Sequence, residues 1–289
     1  MAKGTKELKS RITGVKNIQQ ITRAMEMVAT QKLKRLQQRA ESARPFAETI
    51  QQMVARLAGS VRSDLSPLLQ QREVKTHGNL VISSDKGLCG GYNTNLVRSV
   101  LATVTKGEDA PERTRVLGSK GQIALKHKGV KVDVAYGDHV EKLDFTRVRN
   151  IVREMVREFV DGEVDEVRVI YTGFESSSRQ RPMTVTLLPI RPETLLSEAA
   201  AASNADFIIE PTADELLREL LPKFLEVKVY SAVLESLASE FTARRNAMKQ
   251  ATDAADDMIG ALTRQYNRAR QESITKELLE VVSGAEALN

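Results

Sequence analysis

Apolar or small residues recur along the first 57 positions at Leu8, Ile12, Val15, Ile18, Ile21, Met25, Val28, Leu33, Leu36, Ala40, Ala43, Ala47, Ile50, Val54 and Leu57. The steps are almost all three or four, with a mean repeat of 3.5 and one slip between Val28 and Leu33. That period predicts a helix wound left-handedly around a partner. Pro45 interrupts the row and is expected to bend or loosen it. A second row, Leu237, Phe241, Arg244, Met248, Ala251, Ala255, Met258, Leu262, Gln265 and Ala269, keeps a strict four-three alternation and supplies the partner. After Pro222 no proline occurs, and Gly260 is the only glycine before Gly284, so helix can run from Lys223 to Ser283, a rod of about 90 Å. Alanines in both rows permit close approach but bury little area, so the pair alone is weakly held.

Between the rods the period changes. Asn79–Ser84, Arg115–Gly118, Val130–Ala135, Val164–Tyr171 and Met183–Ile190 read as strands, interleaved with helical stretches at 94–106, 119–128 and 145–161. Alternation of this kind indicates a mostly parallel sheet, and the last strand follows a loop, so it is expected to be an antiparallel edge. The alanine-rich 198–204 reads as a link. The expected fold class is therefore α/β: a long antiparallel coiled coil of the N- and C-terminal helices plus a central Rossmann-like α/β domain. The divisions are a first coiled-coil helix over 1–57, the α/β domain over 75–195, and a second coiled-coil helix over 211–289.

Charge sharpens this picture. Residues 1–57 hold twelve Lys/Arg against four acids, so the first rod carries +8 in a chain whose net charge is +5. Such a rod suits an anionic partner (nucleic acid, lipid head groups or acidic protein loops) or is a solvated face. The aromatic platforms expected for single-stranded nucleic acid are missing, since aromatics make up 4% of the chain. No run approaches the ~18 apolar residues of a membrane span, and no charged-then-apolar leader precedes the first periodic segment, so neither insertion nor secretion is expected.

Candidate chemistry is sparse. One cysteine, Cys89, excludes an internal disulfide, and the three histidines have no metal-ligand spacing. The loop Gly87-Leu-Cys-Gly-Gly91 after the first strand lacks both the GxGxxG spacing and the Lys-Ser/Thr pair of a phosphate loop, and reads instead as a tight turn. Lys86 is the only basic neighbour of Cys89, and no histidine is near in sequence to activate it. Catalytic residues, cofactor and metal are therefore not expected. Arg244 and Gln265 break the apolar row. Either they reach out to solvent or they meet another protein.

The C-terminal stretch Tyr266-Asn-Arg-Ala-Arg-Gln-Glu-Ser-Ile-Thr-Lys-Glu-Leu-Leu-Glu-Val-Val-Ser-Gly-Ala285 closely resembles the terminal motif of the gamma subunit of F-type ATP synthases. Ile21-Thr-Arg-Ala-Met-Glu-Met-Val28, Ser84-Asp-Lys-Gly-Leu-Cys-Gly-Gly91 and Ala247-Met-Lys-Gln-Ala-Thr-Asp253 are similar to family stretches, in family order. The resemblance implies a non-catalytic rotor shaft that couples proton flow to ATP synthesis, without cofactor, nucleic acid or small-molecule substrate. The implied partners are three alpha and three beta subunits, an epsilon subunit and the membrane ring of c subunits. By resemblance, Arg270, Gln271 and Arg244 match positions gripping a loop of a beta subunit, and Met25 a position beside the same collar. Lys86 and Cys89 match a region near an acidic beta loop and epsilon, and the basic rod with Lys32, Lys34 and Arg35 would face acidic beta loops. The implied setting is the cytoplasmic face of a bacterial plasma membrane. The runner-up from another class is a nucleotide-binding enzyme using the α/β domain.

Overall fold

The computed structural model describes residues 3–58, 66–105, 111–137, 139–191 and 212–286. The proposed link at 198–204 lies outside them. Two helices dominate: α1 (Lys3–Ala58) and α5 (Ala213–Glu286). Between them stand β1 (His77–Ile82), α2 (Tyr92–Thr105), β2 (Glu112–Leu117), α3 (Ser119–His127), β3 (Val134–Ala135), α4 (Phe145–Val160), β4 (Glu166–Phe174) and β5 (Gln180–Leu188). The chain divides into two compact units, Met1–Gln31 with Arg244–Asn289, and Lys32–Ala243.

In the second unit five strands form one sheet in the order β3-β2-β1-β4-β5. The β1/β2, β2/β3 and β1/β4 pairs are parallel, and β4/β5 is antiparallel, so the last strand is the expected edge. Val81, Val116 and Ile170 face one way and pack with Leu96, Val97 and Val100 of α2 and Leu125 of α3. The connection through α4 runs back across the sheet, which puts that helix on the opposite face. On this opposite face Val169 and Tyr171 share a cavity wall with Phe224, Val227 and Ala232 of α5. Leu80, Ile82 and Leu117 are fully or almost fully buried.

Two elements differ from expectation. Strand pairing in 130–135 is limited to Val134–Ala135. Gly129 adopts φ +79°, and the Val130 N–H caps α3 by donating to Leu125 O, so Val130 and Val132 pack on the core without joining the ladder. The second rod starts at Ala213, within the expected 211–289 span but ahead of the unbroken stretch read from Lys223, and carries Pro222 in its interior. Its start is capped by Thr212: Glu215 N–H donates to Thr212 Oγ1 at 3.3 Å, and the Thr212 hydroxyl donates to the Glu215 carboxylate at 3.2 Å. An interior proline costs about 3 kcal/mol. Here Leu217, Leu220, Leu221, Phe224 and Leu225 are all buried on either side of it, and each contributes about 1.5–3 kcal/mol by leaving water, which outweighs the lost hydrogen bond. At 74 residues the helix extends about 110 Å.

Helix α5 also runs through Gly260, where an added Cβ meets only the Arg264 guanidinium, at 3.7 Å. Gly260→Ala is therefore expected to raise stability by about 0.5–1 kcal/mol, read as a higher urea midpoint at constant m-value. A lower midpoint would show that glycine is required there.

Candidate functional site

The first unit is a two-helix rod. Thr22 Oγ1 and Thr252 Oγ1 are 2.8 Å apart, and Gln19 Nε2 donates to the Asp256 carboxylate. As the α1 position rises from 19 to 22 the partner falls from 256 to 252, so the helices run antiparallel. The inner row of α1 is Thr5, Leu8, Ile12, Val15, Gln19, Thr22, Glu26 and Ala29, all buried or half-buried. This corrects the row read from the sequence. It keeps a three-four alternation without a slip, and Ile18, Ile21 and Val28 stand outside it, with 55%, 59% and 51% of their surface exposed. In α5 the inner row passes Met248, Thr252, Ala255, Ile259, Leu262, Tyr266 and Ala269, whereas Met258 and Gln265 are exposed.

The physical consequence is a rod that is apolar outside as well as inside. Its seam mixes small or polar side chains (Thr5, Gln19, Thr22, Ala29, Thr252, Ala255) with large apolar ones (Leu8, Ile12, Val15, Met248, Ile259, Leu262), and further large apolar side chains face outward. Ile18, Ile21, Met27 and Val28 on α1 and Met258 on α5 are exposed. Exposed apolar side chains grouped along a rod are candidates for an interaction surface. Extrapolating the pairing, Lys3 lies level with about residue 271, so roughly the last 15 residues of α5 continue as a single helix of about 20 Å. Its Ile274, Leu278, Leu279, Val281 and Val282 are exposed. Lys276 and Glu280, at 3.9 Å, and Arg268 and Glu272, at 3.0 Å, are i,i+4 pairs that support the helix.

Met25, Arg244, Arg270 and Gln271 all belong to this unit. Met25 is half-buried, Arg244 is buried, and Arg270 and Gln271 are exposed. By the same pairing Met25 lies level with about residue 250, some 30 Å along the rod from Arg270, so the structure does not bring them together.

Lys32, Lys34, Arg35, Lys86 and Cys89 belong to the second unit. Lys32 is committed internally: its ammonium donates to Glu141 at 2.7 Å and lies 5.2 Å from the Phe241 ring centre. Arg39 is likewise occupied, donating to Leu143 O at 2.8 Å and Tyr230 OH at 3.2 Å. Lys34 and Arg35 point to solvent. The basic run thus splits into two inward and two outward cations.

The loop after β1 is braced from within. Asn93 Oδ1 accepts the Ser84 N–H at 3.3 Å, Asn93 Nδ2 donates to Cys89 Sγ at 3.3 Å, and Ser84 Oγ donates to Lys86 O at 2.9 Å. Asp85 Oδ2 accepts the His139 and Val140 N–H groups at 2.9 and 2.8 Å. Cys89 is buried and Lys86 exposed, so the cysteine packs the loop and the lysine is displayed by it. Leu88, which the sequence reading passed over, has φ +62° and is 62% exposed. A bulky residue held in that conformation costs about 1–3 kcal/mol, and such residues cluster at active sites, ligand clamps and switch regions. Nothing in the local sequence signals it, because Gly87 and Gly90 flank it as the more obvious carriers of positive φ.

The loop sits at the point where the strand order reverses, between the carboxyl ends of β1 and β4, where open α/β sheets bind ligands. That crevice is filled by α5. Ser236 Oγ donates to Ile82 O at 3.3 Å, and the Tyr92 hydroxyl lies 2.7 Å from the same Ser236 oxygen. Burial, reinforced by the Glu240 carboxylate, pushes the Tyr92 hydroxyl far above its usual range, so it stays protonated. Among the described residues no His, Cys, Asp or Glu group is placed to hold a metal ion, and no helix is long and apolar enough to cross a membrane.

A family model described as ATP synthase matches residues 4–288. The ATP synthase gamma chain of Nitratidesulfovibrio vulgaris strain Hildenborough is 41% identical over 286 residues, covering 98% of this chain and 98% of that one. That of Cupriavidus necator is 42% identical over 295 residues, with 99% of each chain covered. Among solved structures, a chain from the central stalk and c-ring of Tetrahymena thermophila mitochondrial ATP synthase is similar at a TM-score of 0.59 and 25% identity, over 80% of this chain and 99% of that one. A chain of Euglena gracilis mitochondrial ATP synthase shares the fold at a TM-score of 0.69 and 19% identity, over 99% of this chain and 94% of that one. With the match running nearly end to end and relatives above 40% identity on the same rods and sheet, the chain belongs to the ATP synthase gamma chain family.

Proposed function

We propose that this chain is the central-stalk rotor of an F-type ATP synthase, a non-catalytic subunit whose rotation couples proton flow through the membrane ring to ATP synthesis. The observation that carries this reading is the apolar outer surface of the rod. Ile18, Ile21, Met27 and Val28 face outward although a seam of its own is already formed, an arrangement that is unfavourable in water and favourable inside a sleeve of other subunits. Three alpha and three beta subunits would form that sleeve, with epsilon and the c-ring at the α/β domain, on the cytoplasmic face of a bacterial plasma membrane. A shaft biases identical neighbours only through contacts that differ between their conformations, and the asymmetric charge and shape of this rod supply such differences. Arg244, Arg270 and Gln271 would grip a beta loop, with Met25 beside the collar. Lys34 and Arg35 would meet acidic loops. Lys32 and Cys89 would act from within, by holding the 3-10 turn at 140–142 and the loop that displays Lys86 and Leu88.

Co-expression with the neighbouring subunits tests the reading. A complex with three copies each of two larger subunits and one of this chain is expected, and its filament-tagged rod should rotate on ATP. A chain that purifies alone from cells expressing all subunits would refute it. Lys34→Glu with Arg35→Glu is expected to weaken coupling several-fold at low salt and less at high salt, as exposed charges are screened beyond about 10 Å at 0.1 M. An effect independent of salt would argue that these two are merely solvated. The enzyme alternative is not favoured, because α5 fills the crevice such a domain would use for nucleotide.

A further inference from the structure

Within the second unit, α1 and α5 part around a cavity of about 680 Å3. Alanines open it: Ala40, Ala43 and Ala47 on α1 lie across from Ala238 on α5. Its walls are aromatic. Phe145 stands edge-on to Phe46 at 6.3 Å and to Tyr230 at 5.5 Å, and Phe174 closes one end. Phe46, at 54% exposure, marks the mouth.

Two carboxylates face this aromatic space, Glu41 at the mouth and Glu235 within. No ion pair engages Glu41 among the described residues, and the nearby Arg44 is taken by Glu48 at 2.7 Å. The Glu235 carboxyl is pushed up by burial, and the groups that oppose the shift are the Tyr171 hydroxyl and the Phe174 N–H, both neutral. The Tyr171 hydroxyl is in turn pushed up to about 12 by burial and by Glu235. The cavity thus offers two carboxyl groups and ring faces in a volume that suits a drug-sized ligand, and its one lining cation among the described residues, Arg44, is already paired with Glu48.

We propose that this cavity is a binding site for hydrophobic cations, onium ions or protonated amines bearing apolar groups, held by Glu235 and Glu41 against the Phe46, Phe145 and Tyr230 rings. An occupant would splint α1 to α5 where alanines leave them apart. The site is independent of the rotor reading, and neither result below bears on that reading.

Isothermal titration of the full chain with tetraphenylphosphonium at low ionic strength tests the proposal, with tetraphenylborate as the anion of matching shape. One saturable cation site is expected, with the borate about tenfold weaker or more. The chain's net charge of +5 favours the anion everywhere else, so preference for the cation identifies a local site. Glu41→Gln with Glu235→Gln keeps the cavity's shape and is expected to lower cation affinity about tenfold. Ala43→Trp is expected to fill the cavity and abolish binding; should that variant fail to fold, the carboxamide variant decides alone. Lack of saturable binding, equal affinity for the two ions, or undiminished affinity in the carboxamide variant would overturn the proposal.

Discussion

Arg270→Ala combined with Gln271→Ala is expected to lower coupled ATP synthesis tenfold or more while leaving the melt of the isolated chain almost unchanged. Both side chains are exposed on α5 near the level where α1 begins, outside the inner row that passes Tyr266, Ala269 and Ser273. Neither takes part in the ion pairs that brace this stretch, which join Arg268 to Glu272 and Lys276 to Glu280. Surface substitutions of that kind change stability by about 0.5 kcal/mol at most, and alanine is the better helix former. In the assembled complex the same two groups would donate charge-assisted hydrogen bonds to a loop removed from water. Truncating one partner of such a contact costs about 2–5 kcal/mol, hence the tenfold or larger effect. Synthesis in reconstituted proteoliposomes, read beside the circular-dichroism melt, separates the two consequences. Unchanged synthesis would remove the gripping role, and a lowered melt would show that the pair belongs to the rod itself.

Glu158→Ala should destabilise the chain by about 3–5 kcal/mol, one of the largest effects available to a single polar substitution here. Glu158 lies on α4 and pairs with Arg115, a β2 residue only 4% exposed; Arg113 approaches the same carboxylate at 3.9 Å. Removing the carboxylate leaves the Arg115 guanidinium buried with its main counter-charge gone. Desolvation of an unpaired ion is what makes this costly, and the worth of the pair against an apolar substitute is a separate matter. Arg115→Met added to Glu158→Ala is therefore expected to recover much of the loss. Urea unfolding of the three variants measures both steps. A cost below about 1 kcal/mol for the single variant would mean that the freed guanidinium swings into water.

The two long helices were legible because heptad spacing over dozens of residues is the strongest periodic signal a chain can carry. Which stripe lies inside was not. Ile18, Ile21 and Val28 form one row, and Gln19, Thr22 and Ala29 form another a single residue away, both at the same spacing. Hydrophobicity favours the first, and the fold buries the second. At this level the seam is filled by the small Thr22 and Ala29 of α1 with Thr252 and Ala255 of α5, which leaves the apolar row outward. Pro222 shows a related conflict: local propensity opposes helix there, while five buried neighbours hold it together.

In the sheet, strand positions and the antiparallel edge followed from alternation and from the loop before β5. The strained Leu88 and the bracing of its loop by Asn93 and Asp85 had no such signature, because they depend on groups far apart along the chain. The same holds for the basic run at 32–39. Its charge was countable, yet whether each cation is free or spent depends on Glu141, Leu143 and Tyr230.

Periodicity, composition and motif order were enough for the rods, the α/β domain and the family, since these are properties of residues read along one line. Seam register, the plugged crevice, the occupied lysine and the aromatic cavity were settled by packing. Each arises where segments remote in sequence compete for the same volume, and burial of shape and charge together selects the winner.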